Sequence, residues 1–352
     1  MKGRQILIEP LPEGGHATAL KVDGRLEDVL IDPTLDGTPL PEAIYNGTVA
    51  RPMKGMGGTM IELGKGQRGY LRGQNPPAPG TGMIVQVSTW PGEGKAPPVT
   101  DRIMLKGRTV ILTPFAPGIN VAKSMRQTER GADLKSLVEE MLADHHPKPG
   151  VILRSVAETT DDAEVAGELD ALLQDWQQAL DRKDAGGSLI RPAPGAADQA
   201  WRDWHLPGTD ILESDTALKE TGTWEMIAAL LDPVIQLDTG SMAIEPTRAC
   251  VAVDINTGND FSPAAALKAN LAAAADLPRQ LRMRGLGGLI LVDFAPLAKK
   301  DRNRVLSALS KSFRSDGTET TVAGWTPTGN LELQRKRAKR PLALHADRIN
   351  RV

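Results

Sequence analysis

Two apolar segments that each end in an aspartate constrain the fold of this chain more than any other feature. The segments are VAVDIN at residues 251–256 and GGLILVDF at residues 287–294, and both have the length and composition of strands. Between them, the stretch from Pro263 to about Arg282 has the length of a helix, and proline suits a first helical turn. Parallel strands need such a crossover, so the sequence predicts a strand–helix–strand unit in an α/β domain.

Polar side chains end both predicted strands. Asp254 and Asn256 are two residues apart and share one face of their strand, and Asp293 ends the second strand. An aspartate at the end of a buried strand is costly unless it is paired or bound to metal. At one edge of the sheet the two carboxylates would meet, and such oxygen ligands suit Mg²⁺ or Mn²⁺. The alternative is that each aspartate caps the following turn, because Asn-Thr-Gly at 256–258 is turn-like.

The rest of the chain consists of several segments with different sequence patterns. Residues 4–33 read as strands with a hairpin signal at Asp23-Gly24, and short glycine-rich strands at 41–98 suggest an OB-fold barrel. Apolar residues at 165–180 follow the period of a helix. Residues 184–200 are rich in Gly, Ala and Pro and are predicted to form a loop. With a length of 352 residues, these changes predict two or three domains.

Composition excludes several classes of protein. The single cysteine, Cys250, excludes an internal disulfide framework and a Cys-rich metal site. No apolar run reaches the ~18 residues of a membrane helix, and the first ten residues lack the apolar core of a signal peptide. We therefore expect a soluble cytoplasmic protein with no membrane partner.

Charge is unevenly distributed along the chain. The whole chain has a formal net charge of −2, yet from Arg279 onward 16 Lys and Arg face 6 Asp and Glu, a local excess of +10. A basic C-terminal third suits a polyanionic partner such as a nucleic acid. The alternative is a solvated basic face without a specific ligand.

Three segments carry a resemblance to a known family. VAVDINTGND, LPRQLRMRGLGGLILVDFAP and TPTGNLELQRKR occur in this order, and together they resemble the catalytic core of the ribonuclease E/G family. The front half resembles that family more weakly, and the region from about 184 to 235 is short and divergent. The resemblance implies an RNase H-like domain at 1–40 and 99–222, interrupted by an OB-fold RNA-binding domain at 41–98. A DNase I-like catalytic domain with a basic C-terminal segment would follow at 223–352.

The same resemblance implies an activity and a site. Asp254 and Asp293 match the two metal-binding aspartates of the family, and Asn256 matches the asparagine thought to orient the attacking group. The implied function is a Mg²⁺-dependent endoribonuclease, with Mn²⁺ as an alternative ion. It would cleave single-stranded RNA through a metal-activated water and leave a 5′-phosphate product.

Further residues match the family's RNA contacts. Tyr70 falls where the family has an RNA-contacting phenylalanine, whereas Met60 replaces a second phenylalanine and removes a stacking platform. Lys95 matches a basic residue beside the scissile strand, and the basic segment adds Arg335, Lys336 and Arg337. Each of these residues also has an ordinary structural interpretation.

A third group matches the family's pocket for a 5′-monophosphate. Arg154 and Ser155 match an Arg-Thr pair, while Lys123 and Ser124 replace an Arg-Arg pair. Because a lysine fits phosphate geometry less well than an arginine fork, the sequence leaves open whether 5′-monophosphate sensing is retained.

One departure from the family concerns assembly. The family has a Cys-Pro-x-Cys link that shares zinc between two subunits, and this sequence has no such pair. We therefore expect no structural zinc and either a monomer or a zinc-independent dimer. The alternatives to a nuclease are a catalytically weak or inactive RNA-binding protein of the same fold and, less in keeping with the resemblance, a DNA phosphodiesterase.

Overall fold

The chain folds into two compact units. One unit is formed by Met1–Thr34 and Thr209–Val352, and the other by Leu35–Gly208. Each unit has its own buried apolar clusters. The computed structural model describes residues 3–34, 37–53, 55, 57–73, 77–182 and 187–350.

The strands are short and are spread over both units. In chain order they are β1 Arg4–Pro10, β2 His16–Val22, β3 Arg25–Ile31, β4 Ile44–Met53, β5 Gly58–Gly64, β6 Gln67–Arg72, β7 Gly82–Val87, β8 Pro98–Thr100, β9 Leu105–Lys106, β10 Val110–Thr113, β11 Gly118–Val121, β12 Gly150–Leu153, β13 Ser188–Arg191, β14 Asp210–Glu213, β15 Val234–Leu237, β16 Gly240–Pro246, β17 Val251–Asn256, β18 Gly288–Asp293, β19 Thr320–Trp325 and β20 Leu331–Arg335.

The helices differ widely in length. They are α1 Glu129–Met141, α2 Asp162–Asp181, α3 Ala196–Trp204, α4 Ala217–Glu220, α5 Thr223–Ala228, α6 Pro263–Met283, α7 Arg302–Ser315 and α8 Ala346–Ile349. Short 3₁₀ helices lie at Lys123–Met125, Ser155–Thr159, Ala229–Leu231, Lys299–Asp301 and Leu342–His345. In the part of the chain that the structure describes, no helix is long and apolar enough to span a bilayer.

The first unit is built around a six-stranded sheet in the order β15-β16-β17-β18-β20-β19. Strands β17 and β18 are parallel and are joined through α6, which confirms the predicted strand–helix–strand unit. Apolar side chains of α6 and α7 pack against one face of this sheet. A second sheet, β14-β1-β2-β3, contains the predicted hairpin, in which Asp23 and Gly24 both have positive φ as a type I′ turn requires.

The second unit contains a closed barrel. Strands β4, β5, β6, β8 and β7 follow one another, and β7 pairs again with β4 to close the ring. An OB-fold barrel was predicted for residues 41–98, and the observed five-stranded barrel is OB-like. The other sheet, β11-β12-β10-β9, packs against α1 and α2, and α2 confirms the helix predicted at 165–180.

The loop predicted for residues 184–200 is wrong for most of its described part: residues 188–191 form a strand and 196–200 begin a helix, whereas 192–195 do form a loop. Strand β13 pairs with β4 beside the barrel, and α3 follows it. Ala196, Ala200 and Trp204 form a buried stripe at the i, i+4, i+8 spacing of a helix. Within the predicted loop the stripe consists of alanines alone, and Trp204 lies beyond residue 200, so the composition resembled that of a loop. The remaining residues of the predicted loop, 184–186, lie outside the described residues.

Candidate functional site

Asp254, near the end of β17, and Asp293, the last residue of β18, lie side by side. The parallel pairing of the strands places Asp254 directly opposite Asp293. Neighbouring strands are about 4.8 Å apart, so two carboxylates in this register can reach one ion between them. Both residues are exposed at the carboxyl ends of their strands, which is the edge where open α/β sheets bind ligands.

Asn256 completes the polar cluster that we call the acidic edge, namely Asp254, Asn256 and Asp293. The Asn256 Nδ2 group donates a hydrogen bond of 2.6 Å to Asp254 Oδ2. On the adjacent strand β16, Ser241 lies opposite Asn256 and Ala243 lies opposite Asp254. These small neighbours leave room in front of the carboxylates.

The expectation that Asp254 ends a buried strand is wrong. Val251, Val253 and Ile255 are buried, whereas the alternate residues of β17, including Asp254, are exposed. The sheet is covered by helices on one face, and the acidic edge lies on the other. Because Asp254 is exposed, it does not need a partner to offset desolvation. What makes it available to a ligand is its position opposite Asp293 on the open face of the sheet.

Within the described residues, neither aspartate has an internal cation or caps a turn. No Lys or Arg forms an ion pair with Asp254 or Asp293, and neither carboxylate accepts a bond from a backbone N–H of the following turn. The capping alternative is thus not supported by the hydrogen bonds. Two adjacent carboxylates without a basic partner favour a bound cation, because like charges at this spacing repel.

The turn after Asp293 is held by a residue that the sequence reasoning missed. Asn270 of α6 is fully buried; its Oδ1 accepts a bond from Ala295 N, and its Nδ2 donates to Ala295 O, both at 3.0 Å. These two bonds fix the backbone two residues beyond Asp293. The available signal was a single amide in the alanine-rich segment ALKANLAAAAD.

The donor set of the acidic edge fits Mg²⁺ or Mn²⁺. In the described residues, no group of three or more His, Cys, Asp or Glu side chains is placed to hold a metal ion. A dedicated protein cage is not needed for Mg²⁺, which is usually held by one or two carboxylates and keeps several waters. Two carboxylates in register, with an amide beside them, meet that requirement.

The barrel carries the residues predicted to contact RNA there. Met60 on β5 lies directly opposite Tyr70 on β6, so the two side chains share a face. The Tyr70 ring lies across Gly58, where an added Cβ would be 2.6 Å from the Tyr70 hydroxyl oxygen. Lys95 is exposed in the loop between β7 and β8. Gly58 thus leaves space for the ring of Tyr70.

The residues predicted for a 5′-phosphate pocket are only partly accessible. The 3₁₀ helices Lys123–Met125 and Ser155–Thr159 pack against each other, and Lys123, Ser124 and Ser155 are exposed. Arg154, however, donates to Gly107 O at 2.6 Å and forms an ion pair of 3.1 Å with Asp203. A phosphate at this position would have to compete with Asp203 for Arg154.

The three basic residues at 335–337 differ in environment. Arg335 is buried, and its guanidinium forms an ion pair of 2.6 Å with Asp316. Lys336 is exposed, whereas Arg337 is half-buried with its guanidinium against Gly288. The prediction that Arg335 contacts RNA is therefore wrong, because its side chain is buried, whereas Lys336 and Arg337 retain surface that a phosphate can reach.

Arg335 belongs to a buried group of charges that we call the interior ion cluster. Besides Arg335, the cluster contains Asp28 on β3, Asp316 after α7, Arg282 on α6 and Lys339. Arg282 contacts both aspartates, and Lys339 contacts Asp28. Three of the sixteen Lys and Arg residues from Arg279 onward are thus used inside the unit, which the local charge count could not reveal.

Comparison with known proteins places the chain in a family. A model of the ribonuclease E/G family matches residues 104–215 and 209–338, which together are well over half of the chain. The chain belongs to the ribonuclease E/G family.

Individual relatives are distant. Ribonuclease E of a Nostoc species is 26% identical over 356 residues, covering 84% of this chain and 51% of the relative. Ribonuclease E of a Synechocystis species is 27% identical over 297 residues, covering 72% of this chain and 44% of the relative. Ribonuclease G of Haemophilus influenzae is 25% identical over 360 residues, covering 85% of this chain and 73% of the relative. The chain therefore spans about half the length of these two ribonuclease E relatives.

Proposed function

We propose that this protein is a metal-dependent endoribonuclease that cleaves single-stranded RNA. The observation that carries the proposal is the register of Asp254 with Asp293 on adjacent parallel strands. Both carboxylates are exposed at a sheet edge, and neither has a basic partner among the described residues. The ribonuclease names of the relatives support RNA as the substrate.

Asp254 and Asp293 would hold Mg²⁺, or Mn²⁺ in its place. A bound ion of this kind lowers the pKa of a coordinated water and stabilises the negative charge that develops on a phosphate. Asn256 would fix the orientation of Asp254 through the bond from its Nδ2 group, and the open face of the sheet would admit the RNA strand. Hydrolysis would break the bond between phosphorus and the 3′ oxygen and leave a 5′-phosphate product.

The barrel would contribute contacts of its own to the RNA strand. Tyr70 offers a ring for one base, and Met60 beside it offers an apolar but weaker contact. Exposed Lys95 would contact a phosphate, as would Lys336 and Arg337 of the other unit. These contacts would make RNA affinity dependent on salt concentration.

Recognition of a 5′-monophosphate would rest on Lys123 and Ser155. Arg154 would take part only if it gave up its ion pair with Asp203 and paired with the phosphate instead. Because that exchange costs an ion pair, we expect the preference for a 5′-monophosphate over a 5′-hydroxyl to be small. Comparison of cleavage rates on two RNAs that differ only at this end would measure it.

The finer fold assignment is part of the same proposal. We assign an RNase H-like domain to 1–40 and 99–222, an OB-fold to 41–98 and a DNase I-like domain to 223–352. The closed barrel supports the OB-fold, and the two-layer arrangement of the six-stranded sheet with α6 and α7 supports the assignment of 223–352. Assembly as a monomer or zinc-independent dimer, without structural zinc, remains a prediction.

The decisive assay uses end-labelled single-stranded RNA with Mg²⁺ and with a chelator. We expect cleavage with Mg²⁺, none with chelator, and little on a duplex or on DNA of the same sequence. Product ends are checked with an exonuclease that requires a 5′-phosphate. RNA binding without cleavage at any Mg²⁺ or Mn²⁺ concentration would instead support an RNA-binding protein without turnover, an alternative favoured by Met60 and by the ion-paired Arg154.

A further inference from the structure

Phe261 is the most exposed large hydrophobic side chain among the described residues. Its exposed fraction is 87%, whereas the next values are 56% for Leu344 and 55% for Phe115. The residue lies in the loop between β17 and α6, five positions after Asn256. An exposed aromatic ring thus lies in the loop that leaves the strand bearing Asp254.

The usual structural role for a hydrophobic residue at this position does not apply. Phe261 precedes Ser262, the N-cap of α6, and a hydrophobic residue in this place often packs on the fourth helical residue, here Ala266. Ala266 is buried by other groups, and a ring that is 87% exposed does not make that contact. Burial therefore does not explain Phe261.

The loop nevertheless holds Phe261 at a fixed place. The Asp260 Oδ1 atom accepts a bond of 2.9 Å from Ser262 N, and Ser262 Oγ accepts a bond of 3.2 Å from Ala265 N. These bonds fix the residues on both sides of Phe261 to the start of α6. The backbone that carries the ring is therefore already ordered before a ligand stacks on it, which lowers the entropic cost of binding.

We propose that Phe261 stacks on an unpaired RNA base next to the phosphate that is cleaved at the acidic edge. This inference rests on the proposed function and names one more contact of the same site. Aromatic rings bind bases of single strands with little sequence preference, and a base inside a duplex is already stacked on its neighbours. Stacking on Phe261 would therefore favour binding of single-stranded over double-stranded RNA at the acidic edge. A lone ring offers far less area than the ~800 Å² per partner of a stable protein interface.

The test compares Phe261→Ala with wild type in RNA binding under chelator, followed by fluorescence anisotropy. The alanine variant should bind single-stranded RNA about 5- to 150-fold more weakly, the range that corresponds to one stacked base. Phe261→Trp should restore binding. Leu344→Ala, which removes another exposed apolar side chain of the same unit, should match wild type.

A scan with abasic sites locates the stacked base. One abasic position in the RNA should weaken binding to wild type but leave binding to Phe261→Ala unchanged, because the partner ring is already absent. If wild type cleaves RNA yet Phe261→Ala binds within about twofold of it and the scan shows no such position, this inference alone fails. If wild type neither binds nor cleaves RNA, the proposed function fails with it.

Discussion

The unit formed by Met1–Thr34 and Thr209–Val352 contains two pairs of aspartates in opposite environments. Asp254 and Asp293 of the acidic edge are exposed, and neither has a basic partner in the described part of the chain. Asp28 and Asp316 of the interior ion cluster are buried. Arg282, Arg335 and Lys339 surround the buried pair.

The difference separates charge that maintains the fold from charge that is available to a ligand. A buried carboxylate must have a partner, because an uncompensated charge in the interior costs several kcal/mol. The cations of the interior ion cluster are therefore committed to their aspartates. The carboxylates of the acidic edge need no protein partner, because they are exposed and water solvates them when no ion is bound.

The largest expected effect is on catalysis. Replacing Asp254 or Asp293 by Asn should lower the rate of Mg²⁺-dependent RNA cleavage at least about 1000-fold, more than ~4 kcal/mol, because a metal ligand is lost. Cleavage kinetics on labelled RNA measure the change, and RNA affinity under chelator should remain about the same.

Glu245→Gln is the matched control for these variants. Glu245 is an exposed carboxylate on β16 that lies opposite Ala252, farther from the carboxyl end of β17. Its removal should leave the cleavage rate within about twofold of wild type, as is usual for a surface substitution. Cleavage by Asp254→Asn at a near-normal rate would remove the acidic edge from the mechanism.

The second prediction concerns the buried pair. Arg335→Met should lower the free energy of unfolding by about 3–4 kcal/mol, because Asp316 loses a partner in the interior. Chemical denaturation measures the loss. Lys336→Met, one residue further on and exposed, should change stability by less than ~0.5 kcal/mol. Equal effects of the two substitutions would contradict the assignment of Arg335 to the interior.

The third prediction concerns pH. Burial, followed by the charges of Arg340 and Arg348, lowers the pKa of His345 to about 4. The unfolded chain, in which the pKa of a histidine is ~6.5, then binds this proton first, so stability should fall as the pH drops from 6.5 toward 4. The total loss from this group is about 3 kcal/mol or less. His345→Leu should flatten this part of the curve of unfolding free energy against pH, and an unchanged slope would argue against a neutral, buried His345.

The fourth prediction concerns the support of the acidic edge. Asn270→Leu should cost about 2–3 kcal/mol of stability, because the N–H and C=O groups of Ala295 lose their partners. Gln280→Leu, which removes a buried amide elsewhere on α6, is the control. Both variants should be less stable, but only Asn270→Leu should raise the Mg²⁺ concentration needed for half-maximal cleavage. A similar Mg²⁺ response in the two variants would confine Asn270 to a purely structural role.

The sequence predicted the acidic edge because its residues are local in two strands. Periodicity placed Asp254 and Asn256 on one face, and the crossover helix brought Asp293 beside them. The interior ion cluster was not predictable in this way. Asp28 and Lys339 are more than 300 residues apart, so their contact depends on the packing of the whole unit. The same reason hid Arg335, whose position in a basic run suggested a solvent-exposed side chain.

Direct measurement of ion binding tests the central claim most closely. Mn²⁺ titrations followed by electron paramagnetic resonance should show a bound ion in wild type and in Glu245→Gln. The bound ion should be lost in Asp254→Asn and in Asp293→Asn. It should persist in Asp316→Asn under conditions where circular dichroism shows that variant to be folded, because the interior aspartates are already neutralised by arginine and lysine. Undiminished Mn²⁺ binding by Asp254→Asn and Asp293→Asn would contradict the assignment of the ion to the acidic edge.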